Sequence, residues 1–469
     1  MKRFFYSIAS LLLFIGCNSS VKNETIYFGG QIKNPKDDTV YILKNDSKIA
    51  QAKLSQEHKF MFKLDSLTPG LYKFKHGEEY QYIYLEKKDS LLIRLNTWDF
   101  DGSLVFSGKG ANRNNFLIQL FLENEQEEKQ YYNFFKLNEK EFLSKIDSFT
   151  KLKENQFKIF KKNTTKQSSN FNDLIKSIIY LPIYANKEEY PLYYKKHYNS
   201  DKLPKLSSNY YNHRNIINKN TNHFKDYYTY NSYLWSNIYN TSFYQIEKDT
   251  LSELSAVLLT QISKIIKDVD IKNNMLQQTY INSLFDSSCS DVDKEKTKSI
   301  FYKNCNNVKK KEKVTNILSV INTLKKHSKL PEFYLKTIQD NTVNSNSLIG
   351  SNMVIYFWPK ELNRIQNMAK RVNFLVKKYP KIRFIGIDGQ LSNYNWKAYA
   401  KANDLDLSNQ FQFVEHNKNI FYTNDYPRAI VIDKEGFIQS NFTFISHGNF
   451  EKELLSIKNN TVKSLITNK

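Results

Sequence analysis

Cysteine is scarce in this chain, and its spacing excludes the usual cysteine sites. Only Cys17, Cys289 and Cys305 occur among 469 residues, and no two of them have the C-x-x-C spacing of a redox catalyst. The eight histidines are scattered without H-x-H or H-E-x-x-H spacing, so the sequence predicts no metal site. The stretch FSGKGANRN lacks the spacing of a phosphate-binding loop, and no G-x-S-x-G elbow occurs. We therefore expect no cofactor.

Long apolar runs are also missing, apart from one at the start. Phe4 to Ile15 follows the positive charges of Lys2 and Arg3, and it is too short to span a bilayer. It is typical of a signal peptide, here residues 1–16. Gly16–Cys17 at its end resembles the lipobox of bacterial lipoproteins, which implies that Cys17 carries the lipid. The alternative is an ordinary secretory signal with a coincidental cysteine.

Acidic residues are too few to balance the basic ones, and the formal net charge is +22. A basic chain invites a nucleic-acid function. The lysines, however, are spread through the whole chain, and no zinc-finger, helix-turn-helix or RNA-binding signature accompanies them. We expect solvated faces and no nucleic-acid partner.

Cys289 and Cys305 remain once Cys17 is lipidated, with fifteen residues between them. In an oxidising compartment our first interpretation is a structural disulfide, whose loop closure is worth about 3 kcal/mol. Two unpaired thiols are the second interpretation.

Three kinds of pattern follow one another, so the sequence predicts a multidomain chain. Residues 25–108 contain short runs rich in β-branched and aromatic residues, separated by turns, which predicts a β-sandwich. Residues 112–326 have helical spacing and predict a helical middle domain, with breaks at Pro182, Pro191 and Pro204. Residues 329–460 alternate strand and helix and predict an α/β domain.

Residues 329–457 resemble the thioredoxin-like domain of envelope thiol–disulfide oxidoreductases of Bacteroidota, many of which are lipoproteins. KLPEFYLKTI resembles the lead-in to the first core strand, and VIYFW the strand that ordinarily delivers F-W-x-x-W-C-x-x-C. NDYPRAIVIDKEGFI resembles the cis-proline strand, with Pro427 as the cis-proline and Tyr426 before it. Many members of this family have a β-sandwich, then helices, and then the thioredoxin-like unit. FSGKGANRNNFL resembles the end of that β-sandwich.

The resemblance implies that the catalytic motif is lost. Counting from Phe357–Trp358, the first family cysteine falls on Leu362 and the second on Ile365. No thiolate can form on these aliphatic side chains. Trp358, Leu362, Ile365, Tyr426 and Pro427 are then either an apolar groove for a protein or extended peptide, or a vestigial site in which Leu362 and Ile365 act as plugs.

The leading hypothesis is a pseudoenzyme: an outer-membrane or cell-envelope lipoprotein facing the periplasm, whose thioredoxin-like domain binds a partner or acts as a scaffold. The rival hypothesis is an enzyme that uses Cys289 and Cys305 as a displaced redox pair, or another site in the helical domain. A glycan-binding module built on the tyrosine-rich middle is a third class.

Overall fold

The computed structural model describes residues 24–65, 67–217, 227–249, 253–285, 290–359, 362–389, 395–414, 429–446, 448 and 450–455. The chain divides into two compact units, Met1–Asn240 and Thr241–Lys469. The predicted helical region, residues 112–326, is therefore shared between the two units. Among the described residues, no helix is both long and apolar enough to cross a bilayer.

The first unit begins with a sheet-rich part, as predicted. Alternation in β4 buries Phe60 and Phe62 and leaves Met61 exposed between them, which is the pattern of a sheet with one wet face. Two four-stranded sheets form, in the orders β4-β1-β7-β8 and β3-β2-β5-β6, around a common apolar core. The strands are β1 Ile26–Lys33, β2 Thr39–Lys44, β3 Ser47–Lys53, β4 Lys59–Leu64, β5 Gly70–His76, β6 Glu79–Leu85, β7 Ser90–Asn96 and β8 Val105–Lys109.

Two of these strands were not expected from the sequence. Strand β3 is an edge strand with the polar sequence SKIAQAK, which carries little apolar signal. Strand β8 pairs with β7 from Ser90–Lys109 to Arg94–Val105, although its Gly108–Lys109 end looks like a turn in the sequence. Pairing with a neighbour strand thus outweighs weak local propensity.

Helices follow the sandwich in the first unit: α1 Ala111–Phe134, α2 Glu139–Asn163, α3 Ser169–His197, α4 His213–Ile217 and α5 Tyr228–Lys248, which crosses into the second unit. Side chains cap two of them, because Asn138 accepts from Glu141 N and Ser168 accepts from Phe171 N. The expected breaks at Pro182 and Pro191 are wrong, since both prolines lie inside α3. Burial of the apolar face of α3 outweighs the backbone hydrogen bonds that they remove.

The second unit contains four further helices and an α/β part. The helices are α6 Leu254–Ile265, α7 Val269–Leu284, α8 Asp291–Asn304 and α9 Val308–Thr323. The α/β part contains β9 Tyr334–Lys336, β10 Thr342–Asn344, β11 Met353–Phe357, α10 Leu362–Lys378, β12 Arg383–Asp388, α11 Trp396–Ala402, β13 Gln410–Phe413, β14 Ala429–Ile432 and β15 Ile438–Thr443. Residues 450–455 are helical.

One seven-stranded sheet organises the α/β part, in the order β10-β9-β13-β12-β11-β14-β15. Strands β11, β12 and β13 are mutually parallel, and β14 and β15 continue antiparallel. One face packs through Ile355 and Phe357 into a cluster with Leu324 of the α9 end. The other packs through Val354 and Tyr356 against α10. This sheet, covered on both faces, agrees with the predicted α/β class.

Candidate functional site at the carboxyl edge of the C-terminal sheet

The carboxyl ends of three parallel strands meet at one edge of the seven-stranded sheet. Trp358 follows β11, and Asp388 is the last residue of β12. Gln412 is the second-last residue of β13 and pairs in register with Asp388. Edges of this kind are where α/β proteins place ligands. We therefore take this edge as the candidate site.

Helix α10 begins at this edge. Leu362 is its first residue and Ile365 follows one turn later, so the two positions aligned with the family cysteines have the expected secondary structure. Ile365 is fully buried in the core cluster that contains Val354 and Tyr356. Ile365 therefore presents no surface to a ligand in this structure, which is the burial that the plug interpretation expects.

Trp358 is also buried, with 7 % of its surface exposed. Its indole Nε1–H donates to Oε1 of Gln410 over 3.3 Å, and the Tyr356 hydroxyl donates to the same oxygen over 3.0 Å. Gln410 Nε2 in turn donates to the Asp406 carbonyl over 3.2 Å. Trp358 is therefore held inside the fold, and the predicted apolar groove is not open at this residue.

A glycine makes this polar cluster compatible with the sheet. A Cβ at Gly386 would lie 2.1 Å from Gln410 Oε1 and 2.6 Å from the Tyr356 hydroxyl, far closer than any real Cβ contact. The amide and the phenol therefore cross the sheet surface directly above Gly386. No larger residue fits while this cluster stays in place.

A carboxylate lies beside the cluster. Asp388 is buried, and Gln412 Nε2 donates to its Oδ2 over 2.8 Å. Asp388, Gln410 and Gln412 were missed by sequence reasoning. A signal was present in QFQFV, where Gln alternates with buried Phe and so must face the opposite, helix-covered side of the sheet.

The chemistry available at this edge is limited. Burial raises the pKa of Tyr356 far above its usual value, so the phenol stays protonated and serves as a hydrogen-bond donor. Within the described ranges, no group of three or more His, Cys, Asp or Glu side chains is arranged to hold a metal ion. The groups present can orient neighbours, but no nucleophile stands in the first turn of α10.

Several predicted site residues cannot be placed. Cys17, Tyr426, Pro427 and Cys289 lie outside the described residues, as does the side chain of Leu362. Ala429, the first residue of β14, pairs with Tyr356 near the carboxyl end of β11. Tyr426 and Pro427 precede it in the sequence.

Cys305 follows α8 and is almost fully buried as a free thiol. At Cys305 this agrees with the alternative of unpaired thiols, and Cys289, its predicted partner, lies outside the described residues. Burial also denies Cys305 the exposure that a redox cysteine needs.

An open cleft of about 640 Å³ lies in the same domain. Its walls are the carboxyl-terminal half of α10, the loop before β12 and the loop before β13, including Arg383, Asn409 and Gln410. It therefore opens toward the amino ends of the parallel strands, whereas Trp358 lies at their carboxyl ends. Gln410 is shared by the cleft and the polar cluster.

A second buried polar cluster lies in the first unit, in the helical region. Glu188 of α3 has no exposed surface, and Arg214, His213 and Asn237 all donate to or contact its carboxylate. Burial raises the pKa of Glu188, whereas hydrogen bonds from Arg214 and His213 lower it. Together these two partners outweigh burial, so the pKa of Glu188 lies below its usual value. The cluster ties α3, α4 and α5 together and is enclosed, so we interpret it as structural.

Comparisons with known proteins find similarity at the level of solved structures only. No protein-family model matches the chain, and no curated protein matches it. Similar solved structures include a putative thiol-disulfide oxidoreductase from Bacteroides vulgatus (TM-score 0.26, 19 % identity, 29 % of this chain and 98 % of that one). A putative thiol:disulfide interchange protein DsbE from Chlorobium tepidum has TM-score 0.26 and 16 % identity, over 29 % and 98 % of the two chains. The C-terminal domain of a putative thiol-disulfide oxidoreductase from Bacteroides thetaiotaomicron has TM-score 0.25 and 18 % identity, over 29 % and 99 %. Scores this low carry no weight for function, and the architecture is established by the strand order and register of the chain itself.

Proposed function

We propose that the protein is an envelope lipoprotein, anchored through Cys17 and facing the periplasm. In this proposal its C-terminal α/β part is a thioredoxin-like module that performs no thiol–disulfide exchange. The module binds an envelope protein or an extended peptide, or acts as a scaffold.

The observation that carries the proposal is the start of α10. Counting along the sequence puts Leu362 and Ile365 at the two cysteine positions of a thioredoxin-like enzyme; Leu362 is the first residue of α10, and Ile365 is fully buried. A two-electron couple needs two sulfur atoms that can meet, and neither position has one. Cys305 is buried in a different element of the second unit, which argues against a displaced redox pair.

The buried state of Trp358 and Ile365 restricts where a partner can bind. Neither side chain is available as the floor of an apolar groove, so binding at this edge has to use backbone groups and the residues before β14. Addition of an extended strand uses main-chain hydrogen bonds in this way. We propose that a partner binds through main-chain hydrogen bonds and not on an apolar floor of Trp358 and Ile365, which are both buried.

Thiol exchange is the first test. The purified protein, reduced and mixed with insulin and a dithiol, should accelerate insulin reduction no more than a buffer control does. An authentic C-x-x-C enzyme run in parallel shows that the assay works. Turnover by the native protein comparable to that enzyme would sink the proposal.

Anchoring is tested separately by cell fractionation. The native protein should stay with membranes in high salt and be released by detergent, whereas high salt alone should release Cys17→Ser, because salt screens any electrostatic contact with lipid. Crosslinking of the native lipoprotein to its envelope neighbours then identifies the partner. Equal recovery of the native chain and Cys17→Ser with salt-washed membranes would contradict anchoring through this residue.

A further inference from the structure

The two sheets of the β-sandwich present very different outer faces. The outer face of β3-β2-β5-β6 is covered over β5 and β6, because Leu71, Tyr82 and Tyr84 pack in one cluster with Leu117 of α1 and Ile175 of α3. The outer face of β4-β1-β7-β8 is exposed to solvent. We call it the open face; its outward residues are Tyr27, Gly29, Gln31, Lys33, Lys59, Met61, Lys63, Ser90, Leu92, Arg94, Val105, Ser107 and Lys109.

Apolar side chains form a continuous group at the centre of the open face. Pairing places Met61, Gly29 and Leu92 side by side across three strands, and Tyr27 is the next outward residue along β1. Met61 is 54 % exposed. A Cβ at Gly29 would lie 2.7 Å from Met61 Cε, so the Met61 side chain lies across the glycine and the face stays flat there.

Cations surround this apolar centre. Five of the outward strand residues are basic, and none is acidic: Lys33, Lys59, Lys63, Arg94 and Lys109. Two of these cations have acidic partners: Lys59 pairs with Glu57, and Lys63 pairs with Asp65. The open face as a whole is therefore positive.

An exposed tryptophan lies at one end of this sheet. Trp98 follows β7 in the turn after Asn96, and Asn96 pairs with Lys33 at the end of β1. With 82 % of its surface in solvent, Trp98 is the most exposed large apolar side chain among the described residues. Tryptophan is enriched where proteins meet the headgroup level of a bilayer.

We propose that the open face docks on an anionic phospholipid surface. Exposed apolar side chains enter the headgroup boundary, and the surrounding cations pair with lipid phosphates, as on amphipathic surfaces that lie in a membrane interface. Small-molecule sites are recessed pockets or grooves. A flat face with mixed apolar and cationic residues is better suited to a bilayer surface than to a small ligand.

The position of the face in the chain supports this occupant. Ile26 begins β1, nine residues after Cys17, and nine extended residues span about 30 Å. A lipid on Cys17 would thus hold the open face within reach of the same membrane. The inference that the open face meets the membrane holding Cys17 rests on the proposed function. The affinity of the open face for anionic lipid does not depend on Cys17.

The test uses the mature chain with Cys17→Ser, so that no lipid anchor contributes. Binding to vesicles of phosphatidylglycerol in phosphatidylcholine is measured by co-sedimentation, with pure phosphatidylcholine vesicles in parallel. Lys33→Gln, Arg94→Gln and Lys109→Gln together remove three cations of the open face. The matched control is Lys145→Gln, Lys151→Gln and Lys158→Gln, which removes three exposed cations of α2.

We expect the open-face variant to bind anionic vesicles about a hundredfold more weakly, since each cation near such a surface is worth about a factor of five. The α2 variant should bind nearly as the parent does. Trp98 fluorescence should be quenched by spin-labelled lipid in the parent, and this component should vanish in Trp98→Phe.

Equal losses in the two triple variants would mean that general basicity drives binding, and would overturn the proposal. Equal binding to both kinds of vesicle, or Trp98 unaffected by the quencher, would overturn it too. Because the chain under test lacks Cys17, failure of anchoring through Cys17 leaves these outcomes unchanged, and the two failures are distinguishable.

Discussion

The Tyr356 hydroxyl donates a hydrogen bond to Oε1 of Gln410 over 3.0 Å, although 54 residues separate the two in the chain. The same oxygen accepts from Trp358. This single acceptor holds two buried aromatic side chains at the carboxyl edge of the seven-stranded sheet. It accounts for the closed state of the candidate site.

The first prediction concerns this acceptor. Gln410→Met removes the acceptor that Tyr356 and Trp358 share, and the loss of a buried hydrogen bond costs about 1–3 kcal/mol. Tyr356→Phe removes one donor and leaves Gln410 bonded to Trp358, so we expect a smaller loss of about 1 kcal/mol. Chemical denaturation of both single variants and the double variant measures this. Additive losses in the double variant would show that the two side chains are not coupled.

Ile365 should behave as a core residue. Ile365→Ala is expected to lower the free energy of unfolding by about 2–5 kcal/mol, because it deletes buried methyl groups. Val376→Ala is the control on the same helix, since Val376 is exposed, and it should change stability little. An Ile365→Ala variant as stable as the control would restore the groove interpretation.

Restoring the cysteines should restore a bond. Leu362→Cys with Ile365→Cys places two thiols three residues apart at the amino end of α10, where the helix terminus favours a thiolate. We predict an intramolecular disulfide and weak reductase activity, weak because Glu361 opposes the thiolate and Pro359 alters the turn. Alkylation after mild oxidation provides the readout. Two freely labelled thiols in a folded variant would show that the motif is misplaced.

Stability should depend on Glu188 at low pH. The pKa of Glu188 is below its usual value of 4.5 in the fold, so its ionised form stabilises the folded state. That contribution is present above the unfolded pKa and is lost as pH falls below about 4.5 toward the folded pKa. The unfolding free energy of the native protein should therefore decline with a steeper slope than that of Glu188→Gln in this range. Parallel slopes for the two proteins would contradict the assignment.

Cys305 should be a protected but unbonded thiol. Without reductant, an alkylating reagent should leave Cys305 unlabelled in the folded protein and label it fully in denaturant, because burial is its only protection. Peptide mass spectrometry reads the site, and Cys289→Ser is the control. If Cys305 can be labelled in denaturant only after prior reduction, the structural disulfide is the correct interpretation.

Secondary structure was predictable from the sequence where the periodicity of apolar residues was strong. MVIYF and the segment Trp396–Ala402 form the strand and helix expected of them, because an unbroken apolar run and helical spacing leave few alternatives. Strands β3 and β8 were missed, since their pairing with a neighbour strand compensates for weak propensity.

The candidate site was predictable only in part. The position of Leu362 and Ile365 at the start of a helix follows from counting along one strand and turn. Burial of Trp358 does not, because it depends on Gln410, which joins the site through parallel pairing of β12 and β13. Contacts of this kind are set by tertiary structure: the alternation in QFQFV indicates on which side of the strand Gln410 lies, but it does not identify the partners of Gln410.

The central claim of the proposed function is that the C-terminal α/β part performs no thiol–disulfide exchange. The most direct measurement is insulin reduction by three proteins: the native chain, Cys289→Ser with Cys305→Ser, and Leu362→Cys with Ile365→Cys. We predict no acceleration by the first two and slow acceleration by the third. Activity in the native chain that disappears in the Cys289→Ser, Cys305→Ser variant would contradict the account and establish a displaced redox pair.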